Sequence, residues 1–181
     1  SEMCIRDRVS NAASHTTNVT ANVPWKVEPN NIWSSAKFFE ADATNGTVAP
    51  NTMAQWFQSP SKNFVSFDGT NLNTSNVASF YRTFYNATGL KEVKGIANWD
   101  VTHVTTFQSM FEGCSVLEEL DLTAWNMRAG NPTLTGMFAG CLSLMTLTLN
   151  PNVVLEGTGL TEVTTLNGEK IGFWYIDEYA R

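Results

Sequence analysis

The 181 residues carry 11 lysines and arginines against 17 aspartates and glutamates, a formal charge of -6, with 43% hydrophobic and only 15% charged residues. That balance excludes wholesale disorder, and it argues against a surface built to neutralise nucleic-acid phosphates or anionic lipid headgroups, which needs clustered cations. The length suits one domain with a real core or a short repeat array capped at both ends, and no apolar run approaches the roughly 20 residues of a spanning helix.

The first ten residues, SEMCIRDRVS, hold no apolar h-region and so do not form a secretory signal. Their MCIRDR core resembles a translated sequencing-adapter remnant of the kind found in assembled metagenomic reads, so residues 1–10, Cys4 included, are expected to be a non-native leader. An export signal is then expected to lie outside this fragment. Residues 11–51 show no repeat, but Trp25, Trp33, Phe38 and Phe39 bring apolar bulk among Asn, Thr and Pro. They are expected to cap the first repeat, because an uncapped array exposes core and strand edges.

A repeat occupies residues 52–150. Phe57, Phe84, Phe111 and Phe138 stand 27 residues apart, and four positions before them stand Met53, Phe80, Phe107 and Leu134. Three residues after each Phe come the compact Pro60, Ala87, Cys114 and Cys141, followed at six by Leu90, Leu117 and Leu144 and at nine by Val93, Leu120 and Leu147. In the first copy one inserted residue brings Phe64 and Phe67 into the last two slots. An apolar pair at i, i+4 such as Phe107 and Phe111 lies on one face of a helical turn, and Gly113 is placed to end it in a left-handed conformation. LEELDLT and LMTLTLN then alternate as strands do. The expected fold is therefore an α/β repeat, a leucine-rich-repeat-like solenoid with short strands and short helical segments, about four rungs of 27 residues, capped at both ends. Residues 151–181 leave the register, and the alternation near Ile171, Phe173, Tyr175 and Ile176 predicts a closing strand or hairpin.

The segment NWDVTHVTTFQSMFEGCSVLEELDLTAW resembles a repeat of the BspA-like leucine-rich-repeat surface proteins, through Trp99, Asp100, Thr102, Val104, Phe107, Met110, Phe111, Gly113, Cys114, Leu117, Leu120 and Leu122. LNTSNVASFYRTFYNATGL and LTGMFAGCLSLMTLTL are similar copies, so the resemblance covers about residues 52–150. It departs where NMRAGNP replaces the T-S-x-V section with one extra residue before Phe138, which predicts a local bulge. The resemblance implies an extracellular or cell-surface protein that works in adhesion, and Trp99 and Trp125 sealing the turns after the strands.

No catalytic motif is present: there is no G-x-S-x-G, H-E-x-x-H, Walker loop or dinucleotide fingerprint. His15 and His103 sit in no motif, and adjacent carboxylates such as Glu118 and Glu119 suit a solvated surface better than an acid and base pair. Cys114 and Cys141 fall in the same slot of adjacent copies, which predicts buried free thiols, and no metal-ligand spacing accompanies them. Neither an enzyme activity, a cofactor nor a metal is expected. The candidate binding face is the outward side of the strands: Glu92 and Lys94, then Glu119, Asp121 and Thr123, then Thr146, Thr148 and Asn150. The expected partner is a protein or glycan on a host or neighbouring cell surface, with no nucleic acid and no membrane insertion. A structural spacer or fibre segment of a surface or virion protein, or a repeat appendage of a larger enzyme, are the alternatives.

Overall fold

The computed structural model describes residues 36–41, 49–127, 130–153, 155–160, 163–164 and 170–172. The leader, Trp25, Trp33, His15 and most of the expected closing segment, Phe173, Tyr175 and Ile176 among it, lie outside the described residues.

Among the described residues seven short strands run in chain order: β1 Phe38–Glu40, β2 Ser66–Asp68, β3 Glu92–Lys94, β4 Glu119–Leu122, β5 Thr146–Leu149, β6 Val163–Thr164 and β7 Lys170–Gly172. They form three separate sheets: β1-β2-β3, β4-β5 and β6-β7. The first two are parallel, and in them each strand pairs with the equivalent residues of the neighbouring copy, Phe67 with Val93 and Leu120 with Leu147. β6 and β7 are antiparallel, and Ile171 lies in β7. Alternation explains the strands. Phe39, Phe67, Leu120 and Leu122 are buried, while the residues beside them are at least partly exposed and, Phe38 apart, polar.

The helical half of the expected architecture is wrong, and with it the assignment of an α/β leucine-rich-repeat-like solenoid. Among the described residues there is no α-helix, the helical content being 3-10 conformation at Ile96–Asn98 and at Met127, and the strands form no continuous sheet. The physical reason lies in the backbone between the paired apolar residues. Gln55, Arg82, Ser109 and Gly136, two residues before each Phe, have φ of 60°, 52°, 55° and 67°. Two residues after each Phe, Ser59, Asn86, Gly113 and Gly140 are left-handed as well. A right-handed helix admits neither position.

Left-handed residues at both places divide the amide hydrogen bonds between two destinations. Met110 N–H donates to Phe107 O and Glu112 N–H to Ser109 O, closing tight turns within one copy. The intervening amides reach the next copy: Ser109 N–H donates to Thr135 O, Phe111 N–H to Met137 O and Gly113 N–H to Ala139 O. The same alternation runs from Gln55 to Tyr81 and from Phe84 to Met110. A helix would spend every one of these donors internally. The i, i+4 spacing of Phe107 and Phe111 thus arises from a chain of tight turns in which both rings face inward.

Inside, the rings of Phe57, Phe84, Phe111 and Phe138 stack with centroids 5.5, 5.3 and 6.0 Å apart in succession. A second column joins Phe80, Phe107, Trp99 and Trp125. Leu90, Leu117 and Leu144 are buried beside them. β1 comes from the segment without repeats and extends the first sheet: Phe39 stacks on Phe67 at 5.1 Å and meets Phe57 edge-on at 4.9 Å. In the stretch where a bulge is expected, Met127 is buried, Asn131 has φ of 42°, and register is recovered where Thr133 bridges Thr106.

Candidate binding face on the strands

The two parallel sheets stop facing each other as one surface between β3 and β4. The strands hold equivalent slots, yet no ladder and no backbone hydrogen bond joins them among the described residues. Sequence explains the break. From Val93 to Trp99 the chain reads V-K-G-I-A-N-W, one residue longer than L-D-L-T-A-W from Leu120 to Trp125. The additional residue is accommodated by Gly95, which has φ of 82° and turns the chain into the 3-10 turn. A Cβ on Gly95 would collide with the backbone of Gly69 and Thr70, so no other residue fits there without displacement. β3 therefore ends at Lys94, and β4 continues through the inward-facing Leu122.

A cleft of about 340 Å³ opens at this break, lined by Glu92, Val93, Lys94, Glu119, Leu120, Asp121, Thr146 and Thr148. Six of the eight residues expected on the binding face are brought together there. The other two are not. Thr123 lies in the turn after β4, where its N–H donates to Asp121 Oδ1 at 3.0 Å. Asn150 is half-buried and committed to the backbone, with Nδ2 donating to Thr123 O at 2.9 Å and Oδ1 accepting from Asn152 N–H at 2.9 Å.

The charges of the face divide into paired and unpaired groups. Lys94 Nζ lies 2.8 Å from Glu92 Oε1, and Ser66 Oγ donates to Glu92 Oε2 at 3.2 Å. The hydrogen bond and charge of Glu92, with Asp68 adding to them, hold the Lys94 ammonium above its ordinary value. Glu119 and Asp121 meet no cation among the described residues. Sequence reasoning missed the continuation of this face onto the first sheet, where a second depression of about 240 Å³ is lined by Phe38, Phe39, Glu40, Ser66, Asp68 and Lys94. Its signal was present in Ser66-Phe67-Asp68, which alternates as the later strands do. Also missed was an aromatic clamp on the turns, where the Arg82 guanidinium lies 5.1 Å from the Tyr81 ring and 4.6 Å from that of Tyr85.

The remaining candidates are structural. Trp99 and Trp125 are buried, and their Nε1 groups donate to Gly69 O at 3.2 Å and Ile96 O at 2.7 Å. Each indole thus ties its copy to the one before. Cys114 and Cys141 are buried free thiols whose Sγ atoms donate to Phe84 O and Phe111 O, both at 3.2 Å. His103 is exposed, and its Nδ1 lies 3.3 Å from Thr102 Oγ1. The Thr102 hydroxyl and backbone N–H hold the neighbouring Asp100 carboxyl below its ordinary value. Among the described residues no cluster of His, Cys, Asp and Glu is arranged to hold a metal, and no helix is long and apolar enough to cross a membrane.

A family model described as "Mycoplasma protein of unknown function, DUF285" matches residues 51–153, more than half of the chain. No curated protein and no solved structure matches it.

Proposed function

The chain belongs to the DUF285 family, and from that premise we propose that it is the recognition module of a BspA-like surface protein, binding a protein or glycan ligand outside the cell through the outward side of its strands. The repeated MF-x-G-C-x-x-L core, carried by Met110, Phe111, Gly113, Cys114 and Leu117 and again by Met137, Phe138, Gly140, Cys141 and Leu144, supports the relation to those surface repeats. The observation that carries the binding reading is the cleft at the β3–β4 break. Its volume of about 340 Å³ falls within the ~300–1,000 Å³ of ordinary ligand sites, and polar residues of three neighbouring strands line it together with Val93 and Leu120.

The test is binding of the immobilised chain to arrays of glycans and extracellular protein domains, repeated with Asp121→Ala/Thr148→Ala. Both positions are exposed, so the variant is expected to keep its melting temperature within a few degrees while losing most of the bound signal. Undiminished binding in a folded double variant places the working surface elsewhere and removes this reading.

A further inference from the structure

The discontinuity between the two parallel sheets has a shape, an edge chemistry and a charge that together select an occupant. In a parallel ladder successive residues address opposite neighbours. Glu92 N–H donates to Val65 O at 3.2 Å, and Lys94 O accepts from Gly69 N–H at 3.0 Å, so both residues serve β2 and the Val93 peptide faces β4. Across the gap Glu118 O accepts from Met145 and Thr146, which assigns Leu120 to β5 and leaves the carbonyls of Glu119 and Asp121 toward β3. The gap is lined on both sides by main-chain groups that no other strand uses.

A whole strand does not fit there. It would require about 4.8 Å on each side, whereas the same two copies are held together in the core by the Phe84–Phe111 stack at 5.3 Å and, just past the strand ends, by Trp125 Nε1 on Ile96 O at 2.7 Å. A single side chain fits the volume. Its stem would lie on Val93 and Leu120, and its head would meet Glu119 and Asp121, the carboxylates left over once Lys94 is paired with Glu92.

We propose that the cleft between β3 and β4 is an anchor pocket for an arginine side chain presented by a protein partner. This rests on the recognition reading above and narrows it to a protein ligand. A planar guanidinium carries five donors in a fixed fork, enough to serve a carboxylate and an edge carbonyl at once, while an ammonium of three donors serves them less well. A neutral sugar would donate hydroxyl hydrogen bonds to the same carboxylates but would not offset their charge.

The test is a titration of the 15N-labelled chain with N-acetyl-arginine methylamide, alongside the lysine counterpart, the neutral citrulline counterpart and maltotriose. The expected result is saturable amide shifts at Val93, Glu119 and Asp121, with affinity falling roughly tenfold or more for citrulline. Those shifts should vanish in Glu119→Gln/Asp121→Asn, whose remaining spectrum should be unchanged. Equal shifts from citrulline, shifts spread as strongly over Glu40 and Asp68, or survival in the double variant would overturn the pocket. Saturable shifts from maltotriose without any from arginine would overturn it too, but would leave the recognition reading standing with a glycan ligand. Absence of all shifts in the cleft, together with array binding that depends on Asp121 and Thr148, would likewise remove the arginine pocket and keep the broader reading.

Discussion

Replacing Ser109 by Gly and, separately, by Ala distinguishes the tight-turn backbone from a helical one by the sign of a difference. Ser109 lies midway between Phe107 and Phe111, is buried and has φ of 55°. An L-residue held left-handed costs about 1–2 kcal/mol, a penalty that Gly escapes. Against this, Gly enlarges the entropy of the unfolded chain by about 0.4–1 kcal/mol relative to Ala. The Gly variant is therefore expected to be more stable than the Ala variant by about 1 kcal/mol. The next copy supports the compatibility of the site, since Gly136 holds the same slot with φ of 67°. In a helix the order reverses, because Gly there is worse than Ala by about 0.5–1 kcal/mol. Urea unfolding reads the difference: with m of about 1–3 kcal/mol/M, the midpoints should separate by about 0.3–1 M in favour of Gly. An Ala variant as stable as the Gly variant, or more so, would refute the left-handed assignment at this position.

Phe111→Ala removes a fully buried ring stacked between Phe84 and Phe138; a loss of about 3–5 kcal/mol is expected in the same unfolding experiment, and a loss below about 1 kcal/mol would mean that the column does not carry the core. Trp125→Phe deletes the donor to Ile96 O and should cost about 1–3 kcal/mol by thermal or urea unfolding, as an orphaned buried carbonyl does. The thiols give a pH dependence: burial pushes Cys141 from its ordinary 9.0 to about 12 and raises Cys114 well above the same value. Unfolding therefore releases their protons above about pH 9, so their contribution is fully present below that pH and is lost as pH rises toward 12. Urea midpoints measured from pH 8 to 10.5 should fall, with a flatter slope in Cys114→Ala/Cys141→Ala; identical slopes would show that the thiols titrate alike in both states. On a Cys4→Ser background, a thiol reagent at pH 8 should find two groups only after denaturation, and rapid reaction of the native protein would contradict their burial.

Spacing made the interior legible and the backbone illegible. Residues 27 apart mark Phe57, Phe84, Phe111 and Phe138 as equivalent, and equivalence in parallel strands places like side chains together whatever the turns between them do. Whether Phe107 and Phe111 sit on a helix is a different matter, because an i, i+4 apolar pair satisfies both a helical turn and a pair of tight turns. The clue lay at the slot shared by Gln55, Arg82, Ser109 and Gly136, where one glycine beside three polar residues gives little warning of positive φ. On the binding face, alternation assigned the outward residues, and six of them line the cleft. The cleft itself depends on one additional residue between Val93 and Trp99, which counting from Phe to Phe does not register because the total stays at 27. Glu40 escaped for another reason, since β1 has no repeat to announce it, whereas Asp68 lay in the legible alternation of Ser66-Phe67-Asp68.

The bonds between adjacent copies are distributed unevenly around each turn of chain, and this gives the molecule a direction in which it bends most readily. Between the copies that carry β3 and β4, the side holding Arg82, Phe84 and Asn86 is laced by amide bonds to Gln108, Met110 and Glu112, while the strand side has none. Bending that opens the strand side stretches apolar contacts and the Trp125 Nε1–Ile96 O bond but breaks no backbone–backbone hydrogen bond there, whereas bending the other way must rupture the lacing. Curvature is consequently soft in one sense and stiff in the other at the seam between β3 and β4, whose position is fixed by the residue added before Trp99.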